Sequence, residues 1–149
     1  MMRSEFARHL PPKALDYFCA HIPPGSVPHH SFHVLYLQTI TGVIEKTVKN
    51  QDQCRISWGQ VTEKGERLTV KTQKLKVEKN RYILQECTKK VDYLADGKQF
   101  TDAGAGDIVA IHWGLAVDRL EKEQAKRLHK YTTHNLERIR PTQINKAPK

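Results

Sequence analysis

Gly106-Asp107-Ile108-Val109-Ala110-Ile111-His112-Trp113-Gly114-Leu115-Ala116-Val117-Asp118-Arg119-Leu120 is the stretch that decides how the chain is read. Gly106-Asp107 makes a turn. Ile108, Val109 and Ile111 form a dense β-branched run, which suits a pleated surface and predicts a strand. Gly114 lets that strand bend or end. Beyond Leu120 the period changes. Ala125, Leu128, Thr132, Leu136 and Ile139 recur at helical spacing, and Glu121 and Glu123 precede Lys130, His134 and Arg138 in the order a helix dipole favours. A helix is therefore expected over residues 121–138.

Upstream, the pattern is one of short strands and turns. Cys54-Arg55-Ile56-Ser57-Trp58-Gly59-Gln60-Val61 alternates cleanly, and Glu63-Lys64-Gly65-Glu66 turns into a return strand at Leu68-Thr69-Val70. Leu75, Val77, Tyr82 and Leu84 mark two more short strands around Lys79-Asn80, and Ala95-Asp96-Gly97-Lys98 makes a further turn. His29 to Leu37 reads as a strand, continued by Thr39 to Ile44, and Lys49-Asn50-Gln51-Asp52 as a turn. The fold class expected is mainly β (β+α). It is a small antiparallel OB-like or SH3-like barrel over residues 43–114 with a C-terminal helix and a short N-terminal cap. The domain boundaries expected are 1–28 for cap and connector, 29–139 for the barrel and helix, and 140–149 for a tail.

The chain has 149 residues, enough for one domain with a core. No apolar run is long enough for a membrane span, and the start lacks the apolar core of a signal peptide. Three cysteines, Cys19, Cys54 and Cys87, cannot all pair within one chain, and a cytoplasmic location is expected. The formal charge is +9, but the excess forms no basic block, so nucleic acid binding is permitted rather than demanded.

Two resemblances bear on identity. Val27 to Val34, Cys54 to Gly59, Ile111-His112-Trp113 with Asp118-Arg119-Leu120, and Tyr131-Thr132 with His134-Asn135-Leu136 together resemble the C-terminal part of an uncharacterised prokaryotic protein family. Its members often carry an additional helical N-terminal region, which implies that this chain is a short member or a fragment. More distantly, Gly106-Asp107-Ile108-Val109 with His112, Gly114-Leu115-Ala116 and Leu120 is similar to the end of the small hydrogenase maturation chaperones of the HypC/HupF type. That resemblance implies an OB-like barrel followed by a helix and a role through protein contacts. Those chaperones depend on a cysteine directly after the initiator methionine. Met2 followed by Arg3-Ser4 stands here, so their iron-transfer chemistry does not carry over.

The sharpest local feature is the cluster His29, His30 and His33. Imidazoles at this density suit zinc, nickel or iron, and a closed fold would add His112 or Cys54 to them. Against this, His-His-x-x-His is no established metal spacing. In a strand His29 and His33 share a face but stand roughly 13 Å apart. Histidines that hydrogen-bond at a strand start are the commoner case, so no cofactor is expected, with a transition metal as the alternative. Cys54 beside Arg55 reads as a packed cysteine. Asp107 and Asp118 sit at element boundaries, where turn roles are ordinary. Trp58 and Trp113 either fill the core or, near Lys71, Lys74, Lys76 and Arg81 and with His112, line a binding surface for bases or a peptide.

No nucleophile, base and orienting group assemble from these spacings. The expected function is a non-catalytic binding or maturation-accessory module. Its partner would be another protein or an absent N-terminal helical region. The alternatives are a nucleic-acid-binding barrel and a histidine-based metal-binding protein or hydrolase.

Overall fold

A computed structural model describes residues 12–26, 29–37, 45 and 47–141. The first eleven residues of the expected cap, the continuation at Thr39 to Ile44 and the tail from residue 142 lie outside the described residues. Helix α1 spans Pro12–His21, with proline at its first position, where the missing N–H costs nothing. A single turn, α2 (His30–Phe32), widens directly into a π-helical turn at His33–Leu37. This corrects the strand expected there. Strand alternation would expose every second residue, whereas Val34, Leu35 and Tyr36 are all buried in succession. Phe32 stacks on Tyr36 at 5.3 Å, the four-residue spacing of one helical face.

Helix α3 (Val48–Cys54) replaces the turn expected at Lys49 to Asp52, and it ends on the residue expected to open the next strand. Thr47 is its cap: the threonine Oγ1 accepts from the Asn50 N–H at 3.1 Å. The Tyr82 hydroxyl donates to Gln51 Oε1 at 3.1 Å and fixes this helix against the sheet.

Seven strands follow: β1 (Ser57–Lys64), β2 (Leu68–Glu78), β3 (Arg81–Val91), β4 (Leu94–Ala95), β5 (Lys98–Gln99), β6 (Ile108–His112) and β7 (Leu115–Leu120). Five of them form one antiparallel sheet in the order β3-β2-β1-β6-β7, and β4 and β5 make a separate two-stranded ribbon. The protein is thus a mixed α/β fold with open sheets, not the OB-like or SH3-like barrel expected from the sequence. Among the described residues the two edges of the sheet meet at one corner, where Asp92, directly after β3, bridges Leu115 of β7. The reason lies in the β2–β3 hairpin. Both strands run eleven residues, but β2 pairs with β1 only as far as Thr72. The far half of the hairpin packs on helices instead of closing a cylinder.

Two cores result. Val61, Leu68, Val70, Val91, Val109 and Ile111 fill one face of the sheet. Leu75 and Tyr82 at the far hairpin join Leu15, Phe32, Leu35, Tyr36, Leu136 and Ile139 in the second. Gly59 permits the closest strand approach, since a Cβ there would lie 2.5 Å from the Lys71 carbonyl oxygen.

Beyond the start of β1, α3 and its C-cap residue Arg55 complete the free edge of β2 with side chains. The Leu75 N–H donates to Asp52 Oδ1 at 2.8 Å, and Arg55 Nη2 donates to the Gln73 carbonyl at 2.7 Å. Arg55, 1% exposed, also donates from Nε to Asp52 Oδ1 at 3.0 Å, while Lys89 Nζ pairs with Asp52 Oδ2 at 2.9 Å.

Helix α4 (Lys122–Arg138) follows β7 and presents Ala125, Thr132, Asn135 and Leu136 inward. Its start is closed by Gln124 Oε1, which accepts from the Glu121 N–H at 2.8 Å. Among the described residues no helix is long and apolar enough to cross a membrane.

Candidate metal centre

Three elements distant in sequence converge at one end of the sheet. His30 opens α2, Cys54 closes α3, and His112 ends β6. Each element is held by contacts of its own. The fully buried Asn135 of α4 donates from Nδ2 to Ser31 Oγ at 3.0 Å, and Ser31 in turn meets His29 Nδ1 at 2.9 Å. The His29 ring also lies 5.7 Å from that of Tyr131. These contacts seat α2 on α4. The Trp113 N–H donates to the Gln53 carbonyl at 2.9 Å, tying the β6–β7 turn to the end of α3. On the other side of His112 a register shift between Ala110 and Ile111 leaves Val117 of β7 without an opposite residue. Such bulges re-aim neighbouring side chains.

One ligand-type atom each from His30, Cys54 and His112 lies within 4.8 Å of the other two. A point inside that triangle is within about 2.8 Å of all three, against zinc bond lengths of about 2.0–2.3 Å to nitrogen and sulfur. Small side-chain rotations close the difference. The His30 and His112 rings meet edge to face at 5.8 Å. Among the described residues His112 Nε2 is buried and has no hydrogen-bond partner, an arrangement that is costly unless an ion or water satisfies it. Burial, then the nearby charge of His30, lowers the pKa of His112 below the ordinary 6.5, against a backbone contact with Cys54 that raises it. The ring is therefore neutral and ligand-competent at pH 7. This set of donors corrects the expectation that no cofactor is involved.

The sequence-derived candidates divide. His30 and His112 are in the cluster, and Cys54 joins them. His29 stands outside it: its Nδ1 accepts from the Ser31 N–H at 3.3 Å, and burial with the neighbouring His30 lowers its pKa. For His33 only the backbone is described, in the π-helical turn. Asp107 holds a turn, accepting from the Gly104 N–H at 2.9 Å, whereas Asp118 stands inside β7 opposite Ala110 and accepts from the Arg119 N–H at 2.9 Å. No disulfide forms among the described residues.

The expected binding surface is not one surface. Trp58 and Lys71 line a groove of about 650 Å³ together with His129. Lys74 and Lys76 line a different hollow with Val48 and Lys49. Arg81 stands exposed at the hairpin tip, opposite Glu78. Trp113 is 50% exposed beside a third hollow, of about 320 Å³, with Arg67, Lys89 and Lys90. His129 and Arg67 escaped sequence reasoning because nothing in their local pattern distinguishes them from solvated helix and turn residues.

The chain belongs to a family of unknown function, DUF6390, whose model matches residues 2–146. No curated protein and no solved structure matches it.

Proposed function

We propose that this member of the DUF6390 family binds one transition-metal ion through His30, Cys54 and His112, zinc being the first choice for an N₂S ligand set. The observation that carries this reading is the convergence of one donor atom each from His30, Cys54 and His112 within 4.8 Å of one another, with a buried His112 Nε2 that has no hydrogen-bond partner among the described residues. Three protein ligands leave a fourth position open. Among the described residues the cluster contains no carboxylate to act as a general base, which favours holding an ion over metal-assisted hydrolysis. An open position suits an ion whose coordination is completed by a ligand from a partner protein, and this keeps the accessory role through protein contacts. The thiolate ligand requires a reducing compartment, in keeping with a cytoplasmic setting.

Cobalt titration of the reduced protein tests the reading. One equivalent should give thiolate-to-cobalt charge-transfer absorption together with the intense visible bands of a tetrahedral ion. Cys54→Ser should abolish the charge-transfer band, and His112→Ala should weaken binding by more than about 100-fold, beyond what loss of an outer partner costs. Absence of any charge-transfer band, with no stoichiometric zinc retained after gel filtration, overturns it.

A further inference from the structure

The groove between the sheet and α4 has the lining of a ligand site rather than of a core. A sheet face crossed by a helix is ordinarily apolar where the two meet. Here Gln60, Lys71 and Thr88 stand in one row across three strands, paired in register, and Gln73 pairs with Glu86 in the next. Trp58 and His129 form the wall, with their rings edge to face at 5.4 Å. Gln60, Lys71, Glu86 and Thr88 are all exposed, so the floor is open to solvent.

The charges are set for a ligand. Lys71 and Glu86 are diagonal neighbours across β2 and β3, yet neither forms an ion pair among the described residues. Nearby charges of the same sheet are engaged: Lys89 with Asp52, and Arg67 with Asp92. One unengaged cation, one unengaged carboxylate, an aromatic wall and side-chain amides together match a flat heteroaromatic ring that carries an amino group and a single anionic arm.

We infer that this groove binds a nucleotide unit whose base bears an exocyclic amino group, as cytosine, adenine and guanine do. Trp58 provides the aromatic surface for the base, Glu86 accepts from the amino group, Gln73 pairs with the remaining base edge, and Lys71 meets the phosphate. One lysine suits one phosphate, not a triphosphate. The unit comes either from a free nucleotide or from a single strand lying along the groove. This site is separate from the metal centre and independent of it.

Calorimetric titration with CMP, AMP and UMP, and with oligo(C) and oligo(U) RNA of about ten nucleotides, tests the inference on the whole chain. CMP and AMP, or oligo(C), should bind at least about tenfold more tightly than their uracil counterparts. Lys71→Ala should weaken all ligands about five- to tenfold without changing base preference. Glu86→Ala should erase the preference for amino-bearing bases. Both variants are exposed and should keep the parent melting curve, and Trp58→Phe should retain part of the affinity. Binding of CMP comparable to that of oligo(C) assigns the site to free nucleotides, and binding of oligo(C) alone assigns it to a strand. No binding of any ligand at millimolar concentration, equal binding of uracil and cytosine forms, or unchanged affinity in Lys71→Ala overturns the inference.

Discussion

His30 Nε2 lies 2.9 Å from the carbonyl oxygen of Cys54, the residue whose thiol belongs to the same cluster. A carbonyl only accepts, so His30 Nε2 is the donor in this contact. Metal-binding histidines characteristically donate their second N–H to a carbonyl or carboxylate, which fixes ring orientation. The backbone of one candidate ligand thus orients the ring of another.

A bound ion should stabilise the fold. At zinc concentrations about 100 times the dissociation constant the gain is about 2.7 kcal/mol. For a chain of this size that raises the melting temperature by about 5–10 °C. Thermal scans with zinc and with chelator measure it. Cys54→Ala and His112→Ala should each remove the shift.

Acid should destabilise the metal-free protein. The pKa values of His29 and His112 are lowered from 6.5 in the fold, chiefly by burial and then by His30. Below 6.5 the unfolded chain takes up protons that the folded rings still refuse, so stability falls as pH drops through that value toward the lowered ones. Urea midpoints in chelator at about pH 7.5 and about pH 5.5 should differ in this direction, with the lower midpoint in acid.

Asp52→Ala should be severely destabilising, by about 3–5 kcal/mol, because it leaves Arg55 charged and buried without its partner. Urea denaturation of the variant gives the value. Lys89→Ala, which removes a partly exposed partner, should cost far less.

Trp113→Asn should stabilise the protein. Trp113 and Gly114 have φ values of 51° and 75° at the two central positions of the β6–β7 turn. Asparagine tolerates that conformation, whereas a bulky residue pays about 1–2 kcal/mol for it. A gain of about 1 kcal/mol, or about 2–4 °C in melting temperature, is expected.

The same turn shows why part of the fold was hidden in the sequence. Ile108 to Ile111 announces a strand, but Trp-Gly does not read as a hairpin, so the return strand from Leu115 to Leu120 goes unannounced. Lys79-Asn80 and Asp96-Gly97 turn in the same conformation and are legible, since asparagine and aspartate are accustomed to positive φ. The C-terminal helix is legible in Ala125, Thr132, Leu136 and Ile139, whose spacing is the buried face itself. His30 to Leu37 misleads because its β-branched and aromatic residues suit either a strand or an all-round buried helix, and only packing decides. The metal cluster was half legible. The histidines are conspicuous in a row, yet only His30 of the neighbours His29 and His30 joins the cluster, and its partners come from 24 and 82 positions downstream. Local spacing cannot encode such a convergence.

The completion of β2 by Asp52 and Arg55 has a consequence for the life of the protein in a crowded solution. A bare strand edge invites any extended chain to add to it, which is how soluble domains begin to polymerise. Here the acceptor and donor that a stranger's backbone would use, at Gln73 and Leu75, are already taken by charged side chains. A second strand could not have done this without offering a new edge of its own; a helix end can, and so it halts the sheet.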